Sequence, residues 1–163
     1  MCGIKKIVNV VLNSNNALAG STNSNATYNI DWGAILKPNT PYYLHFTYVG
    51  QPNTFTGATK LAQVSVDFVM ENYLNKSSIY GAPTTTHLGM LRSFYLNGAI
   101  NYLFADDNNN PPVYLENRPC NNQFKVHVLT NDATPVEWRD TNAVPAVNGN
   151  YILTLSFHEV DMD

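Results

Sequence analysis

The chain has 163 residues, with 9 Lys+Arg against 12 Asp+Glu and a formal net charge of −3. That length suits one domain able to bury a sizeable core without a metal or disulfide staple. Its few, dispersed basic residues give no electrostatic footprint for nucleic acid and no polybasic stretch for an anionic membrane surface.

At 44% hydrophobic and 13% charged, the composition is the opposite of a disordered chain's, and the charged share is about half the ~25% of an ordinary soluble domain. Neutral polar and aromatic residues fill the difference: 23 asparagines, ten tyrosines, seven phenylalanines and two tryptophans. An AT-rich genome is an alternative source of the Asn excess.

In chain order, Met1–Leu12 carries two lysines and a short apolar run broken by Asn9. It lacks the long apolar region and small-residue cleavage site of a signal peptide, and no window reaches the roughly 18 apolar residues of a membrane helix. Ile7–Leu12 and Tyr28–Trp32 read as short strands. Between them, Asn13–Ala26 is a polar stretch long enough to act as an arm that orders on assembly. The domain expectation is therefore one unit over 1–163, with 1–27 as an N-terminal strand plus flexible arm.

Period-two alternation then places Tyr42, Leu44, Phe46 and Tyr48 on one face and His45 and Thr47 on the other. Val64, Val66, Phe68 and Met70 repeat the pattern, as do Phe124, Val126 and Val128, and finally Tyr151, Leu153, Leu155 and Phe157. Shorter strands are expected at Leu88–Leu96, Ala99–Phe104, Val113–Leu115 and Val136–Trp138. Asn97-Gly98 between two apolar runs supplies the positive φ angles of a type I′ hairpin turn. Loops rich in Asn, Gly, Pro, Ser and Thr fall at Gly50–Thr59, Asp106–Pro112 and Asn142–Asn150.

Ala58–Val64 offers a turn or two of helix before β-branched residues, and no amphipathic helix stands out. Eight to ten short strands with irregular connections predict an all-β chain, a single jelly-roll β-sandwich of about eight strands.

The chemistry-bearing residues do not assemble an active site. Met1-Cys2-Gly3 resembles the opening of class II glutamine amidotransferases, in which loss of Met exposes a Cys whose own amine is the base. That family's downstream His-x-Arg and Gly-Asp segments have no counterpart here, and a chain that keeps Met1 gives Cys2 no free α-amine. Cys2 and Cys120 are too few for a disulfide framework and lack metal spacing.

His45, His87, His127 and His158 sit in separate segments with no paired-ligand motif, so they are expected as dispersed surface or interface residues. There is no nucleophile elbow, and Asp106-Asp107 lacks the Gly and closing Glu of a Ca²⁺ loop. Asn25-Ala26-Thr27 and Asn75-Lys76-Ser77 fit the glycosylation pattern by composition alone. No catalytic, cofactor-binding or metal residue is assigned, and no enzyme or cofactor is expected.

From Asn110 the chain reads Asn110-Pro111-Pro112-Val113-Tyr114-Leu115, then Arg118-Pro119 and Asn121-Asn122-Gln123-Phe124-Lys125-Val126, ending with Tyr151–Phe157; upstream stand Tyr28–Trp32 and Pro41. This ordered set, over about residues 26–158, resembles the small jelly-roll capsid proteins of large icosahedral double-stranded DNA viruses, including those infecting algae. The resemblance implies a non-enzymatic minor capsid, cement or penton protein. Its partners would be the major capsid protein, other minor capsid proteins and copies of itself, in a virion assembled inside the host cell.

Interface cores are depleted in Lys, Glu and Asp and enriched in Tyr, Trp and Met, which is the direction of this composition. Neutral Asn, Thr and Ser can hydrogen-bond across an interface without the desolvation cost of a charge. Arg118-Pro119 and Asn121–Gln123 are expected to form an ordered corner by satisfying loop carbonyls. The alternative is a carbohydrate-binding jelly roll, a fibre head or lectin, with Trp32, Trp138 and tyrosines as stacking platforms.

Overall fold

Inward and outward side chains alternate along the strands as the pattern requires. Tyr42, Leu44, Phe46 and Tyr48 are buried, as are Phe124, Val126 and Val128, and Tyr151, Leu153, Leu155 and Phe157. The computed structural model describes residues 4–21, 25–50, 62–68, 86–96, 99–106, 110–130 and 151–160. Its strands are β1 (Ile4–Asn13), β2 (Asn25–Asn29), β3 (Tyr42–Gly50), β4 (Ala62–Val66), β5 (Thr86–Leu96), β6 (Ala99–Ala105), β7 (Val113–Leu115), β8 (Gln123–Thr130) and β9 (Tyr151–Val160).

The strand order is β1-β9-β3-β6-β5-β4-β8-β2, every pair antiparallel, with β7 added beside β3. Setting β7 aside, the first strand pairs with the last, the second with the next to last, and so inward to β4 with β5. The pairs β9–β3 and β8–β4 join these hairpins side by side. The result is two four-stranded layers, β1-β9-β3-β6 and β2-β8-β4-β5, curled into one sheet through β5 and β6: the wound-ribbon topology of a jelly roll. The all-β expectation holds, with β7 as an additional short strand.

Between the layers, Trp32 is 1% exposed and packs on Phe157 of β9 and on Phe68 and Phe124 of the other layer, with ring centroids 5.3–5.4 Å away. At the other end of the core, the Tyr28 hydroxyl of β2 donates to that of Tyr151 in β9 at 2.9 Å. Tyr48 stacks on Tyr151 at 5.3 Å. Glu159 is buried at an inward position of β9 and meets the Lys37 amine at 2.9 Å.

One expected boundary changes. The strand expected at Tyr28–Trp32 stops at Asn29, because its partner β8 begins at Gln123. Beyond that point the Ile30 amide donates to Asn122 O, and the chain closes its own turn, α1 (Trp32–Ile35), with Leu36 N–H on Trp32 O. The strand expected through Val64 and Val66 begins at Ala62, where β5 and β8 supply ladder partners on both sides; residues 58–61 lie outside the described set.

The Leu96–Ala99 pairing forms the expected hairpin, while Asn97-Gly98 themselves, Val136–Trp138, Met70 and residues 142–150 lie outside the described residues. Within the polar stretch after β1, a 3-10 turn spans Ser14–Asn16. The Ser14 hydroxyl accepts from Tyr151 N–H, and Leu18 N–H donates to Thr27 O.

One asparagine completes the sheet. β5 serves both layers, Thr86–Leu91 pairing with β4 and Arg92–Leu96 with β6. At Met90, just before β6 takes over, the buried Asn110 side chain stands in for a strand: its Oδ1 accepts from Met90 N–H at 2.8 Å and its Nδ2 donates to Met90 O at 3.2 Å. The adjacent Gly89 leaves the room, since a Cβ there would overlap the Asn110 amide and the Phe46 ring. Gly89→Ala is expected to cost about 1–3 kcal/mol by overpacking. Urea unfolding checks this, and a cycle with Asn110→Ala should show strong non-additivity, because truncating Asn110 vacates the space the new methyl needs. Additive effects would mean that the two residues do not compete.

Candidate functional site

The outer face of β1, β9 and β3 is built by the strand positions that do not enter the core. Register sets it out in four rows. Ile7, His158, Tyr43 and Tyr114 form the first; Asn9, Ser156 and His45 the second; Val11, Thr154 and Thr47 the third; Asn13, Ile152, Val49 and Phe104 the last. None of these is Lys, Arg, Asp or Glu. Val11 is 63% exposed, Ile7 51%, Val49 48%, Ile152 44% and Tyr43 43%, so large apolar groups stand open to water across the width of the face. Scattered exposed apolar residues are ordinary; here they share one uncharged sheet face.

Two histidines meet on this face. His45 and His158 occupy diagonal positions across the β3–β9 pairing, and their rings stack with centroids 4.3 Å apart and planes 28° from parallel. Beside them Tyr43 and Tyr114 make an edge-on ring contact at 5.5 Å. The expectation of dispersed histidines is corrected here: separate in sequence, these two share one site because the jelly-roll winding lays β3 against β9. The signal was present in their parity, both on the polar face of an alternating strand, but pairing them needed the topology.

His127 lies apart on β8, where burial lowers its pKa against the opposing pull of Asp67, while Lys125 lowers it further. His87 falls in β5. Among the described residues no three His, Cys, Asp or Glu side chains come together as metal ligands, and no helix is long and apolar enough to cross a membrane.

At the α1 end of the sandwich an open, polar cleft of about 450 Å³ lies between the β2–β3 and β7–β8 connections. Asp31, Asn39, Asn117 and Arg118 line it, with the exposed thiol of Cys120. These groups mainly bind the loops to one another, as expected of the corner. Arg118 donates to Leu36 O at 3.0 Å, and Asn117 Oδ1 accepts from the Asn39 and Arg118 amides. Asn121 Nδ2 donates to Asp67 O and Gln123 O, and Asn121 O receives the Trp32 indole N–H. The Asn39 backbone is left-handed at φ 53°, a conformation Asn tolerates better than most residues.

Trp32, expected as a stacking platform in the carbohydrate-binding alternative, is sealed in the core and is unavailable to a sugar; Trp138 lies outside the described residues.

Compared with known proteins, the chain matches no family model and no curated sequence. Among solved structures, the empty head of turnip yellow mosaic virus is similar at a TM-score of 0.27 and 11% identity, over 97% of this chain and 83% of that chain. A likeness of that size transfers neither fold nor function, so the jelly-roll assignment rests on the strand pairing itself.

Proposed function

We propose that the chain is a non-enzymatic structural subunit of an icosahedral viral capsid, a minor capsid, cement or penton protein seated among the major capsid protein, other minor capsid proteins and copies of itself. The observation that carries this reading is the uncharged outer face of β1, β9 and β3. A lattice subunit must bury outer surface against neighbours, and burying an unpaired charge there is costly, whereas Asn, Ser and Thr can exchange hydrogen bonds with a partner at little cost. The depletion of Lys, Asp and Glu at this face is that of an interface core. Jelly rolls are a common capsid architecture, though the fold alone does not decide the function. The motifs from Asn110 to Val126 point to the same group of proteins.

The test is the mass of the purified chain by light scattering over a range of concentrations, for the wild type and for Val11→Lys. Val11 is the most exposed apolar residue of the face, so the substitution leaves the core intact and places a charge among the neutral rows. Association of the wild type, weakened at least about tenfold in the variant, is the expected result; a desolvated, unpaired charge costs more than the ~1.4 kcal/mol this represents. Association unchanged by Val11→Lys would remove the observation on which the reading stands.

A further inference from the structure

Resting on that reading of the face, we infer that a second copy of this chain joins it by strand addition. The two β1 strands pair antiparallel about a two-fold axis at Asn9, which carries the β1-β9-β3-β6 layer across both copies. β1 stands at one end of the strand order, and among the described residues its backbone pairs on one side, with β9. A strand so placed presents a row of backbone donors and acceptors to a chain that can match them. The opposite end of the order is β2, only five residues long, the kind of short edge that resists such pairing. β1 runs for ten residues. The usual edge guards, charge and a bulge, are confined to its start, where Lys5 and Lys6 stand at the register shift between Ile4 and Ile7. From Ile7 to Asn13 it holds no charged residue, Pro or Gly.

The side chains show the same open flank. Ile152 of β9 and Val49 of β3 are 44% and 48% exposed, whereas Val11 of β1, with a strand on one side only, is 63% exposed. Facing inward, Val8 is only partly buried, although Val10 and Leu12 of the same strand are buried in the core. An added strand covers both flanks.

The residues of β1 select its own copy and one register. A two-fold axis through a residue opposes positions of equal parity, so outward side chains meet outward ones; an axis between residues would set the face of one copy against the core side of the other. With the axis at Asn9, Ile7 opposes the second copy's Val11, and Val8 opposes its Val10. Asn9 opposes Asn9, and an amide that is donor and acceptor at once complements itself. An axis at Val10 would set Ile7 against Asn13 and Val11 against Asn9, losing the apolar cross-strand pairs that stabilise a ladder. Lys6 falls opposite Leu12, about 20 Å along the strand from its own counterpart and beyond the screening length, so no like charges are opposed.

Cysteine cross-linking in a Cys2→Ser/Cys120→Ser background tests both the partner and the register. Ile7, Asn9 and Val11 are all exposed, so substitution there leaves the core intact. Strand pairing brings opposed Cα atoms to about 4.5–5.5 Å, within disulfide reach, while Ile7 and its counterpart lie about 14 Å apart. Under copper-phenanthroline oxidation, Asn9→Cys should double in mass on a non-reducing gel. Ile7→Cys and Val11→Cys should each stay single, and their equimolar mixture should link.

Association that Val11→Lys weakens, with no link through Asn9→Cys, would overturn strand addition and leave the assembly face standing. Links formed by Ile7→Cys or Val11→Cys alone would overturn the register. A chain that stays monomeric at every concentration would overturn the second copy as the occupant. Association indifferent to Val11→Lys would instead defeat the reading of the face itself.

Discussion

Trp32→Ala is expected to destabilise the protein by about 3–5 kcal/mol, a large share of the roughly 5–15 kcal/mol by which a domain is normally stable. The indole is the one side chain of α1 buried in the core, and its ring neighbours come from both layers: Phe157 from β9, Phe124 from β8, and Phe68 just after β4. Removing it opens a void that no single strand can close, because the three phenylalanines are fixed in different strands and layers. Its Nε1 also donates to Asn121 O at 3.0 Å, tying α1 to the β7–β8 connection.

Urea unfolding followed by far-ultraviolet circular dichroism measures the loss without relying on the fluorophore that the mutation removes. Trp32→Phe divides the effect, keeping much of the ring packing while leaving the carbonyl without its donor; about 1–3 kcal/mol is expected from that alone. A cost below about 1 kcal/mol for Trp32→Ala would mean that the core collapses onto the site and that the indole does not join the layers.

Much of this arrangement is legible in the residues, for a physical reason. A strand with one wet face must alternate, so Tyr42–Tyr48, Phe124–Val128 and Tyr151–Phe157 announce both their conformation and their buried side. Trp32 breaks the rule instructively. It follows a strand-like Tyr28–Ile30 and looks like the next inward residue, but strand conformation needs a ladder partner, and β8 supplies none beyond Gln123. The chain turns helical, and the indole reaches the core from the end of the sandwich. Asn110 and Gly89 are similarly opaque. A buried Asn doing the work of a strand is visible only once β5 is seen to leave β4 for β6.

The candidate site divides along the same line. Parity places His45 and Thr47 of β3, and Thr154, Ser156 and His158 of β9, on polar faces, and that much is local. That the two histidines stack depends on residues more than a hundred positions apart becoming neighbours, which alternation cannot encode. The exposed apolar residues Ile7, Val11, Val49 and Ile152 were harder still to read. In a strand each looks like core, and only the register shows that they point outward together.

Above about pH 10 the protein is expected to lose stability with a slope of more than one proton. Burial pushes the Tyr48 and Tyr151 phenols well above the ordinary tyrosine value, and Tyr28, bonded to Tyr151, is raised by the same cause. In the unfolded chain these phenols ionise near pH ~10, while in the folded one they keep their protons. The unfolded state therefore binds fewer protons in this range, and stability falls as pH rises from the unfolded toward the folded value.

Each phenol held in this way contributes a slope of about 1.4 kcal/mol per pH unit, so Tyr48 and Tyr151 together remove about 3 kcal/mol for every unit above 10. Lys37 adds in the same direction at somewhat higher pH. Its pKa is raised by the hydrogen bond and charge of Glu159, so the stability it contributes is present below about pH 10.5 and lost above. Two pH units of this decline approach the whole stability of an ordinary domain.

Urea midpoints between pH 8 and 12, with phenolate absorbance recorded in parallel, test the coupling. Ionisation of the buried phenols should appear together with unfolding, and Tyr48→Phe should flatten the slope by about one proton. A shallow decline that Tyr48→Phe leaves unchanged would show that water reaches these hydroxyls, and that the tyrosine end of the core is not closed.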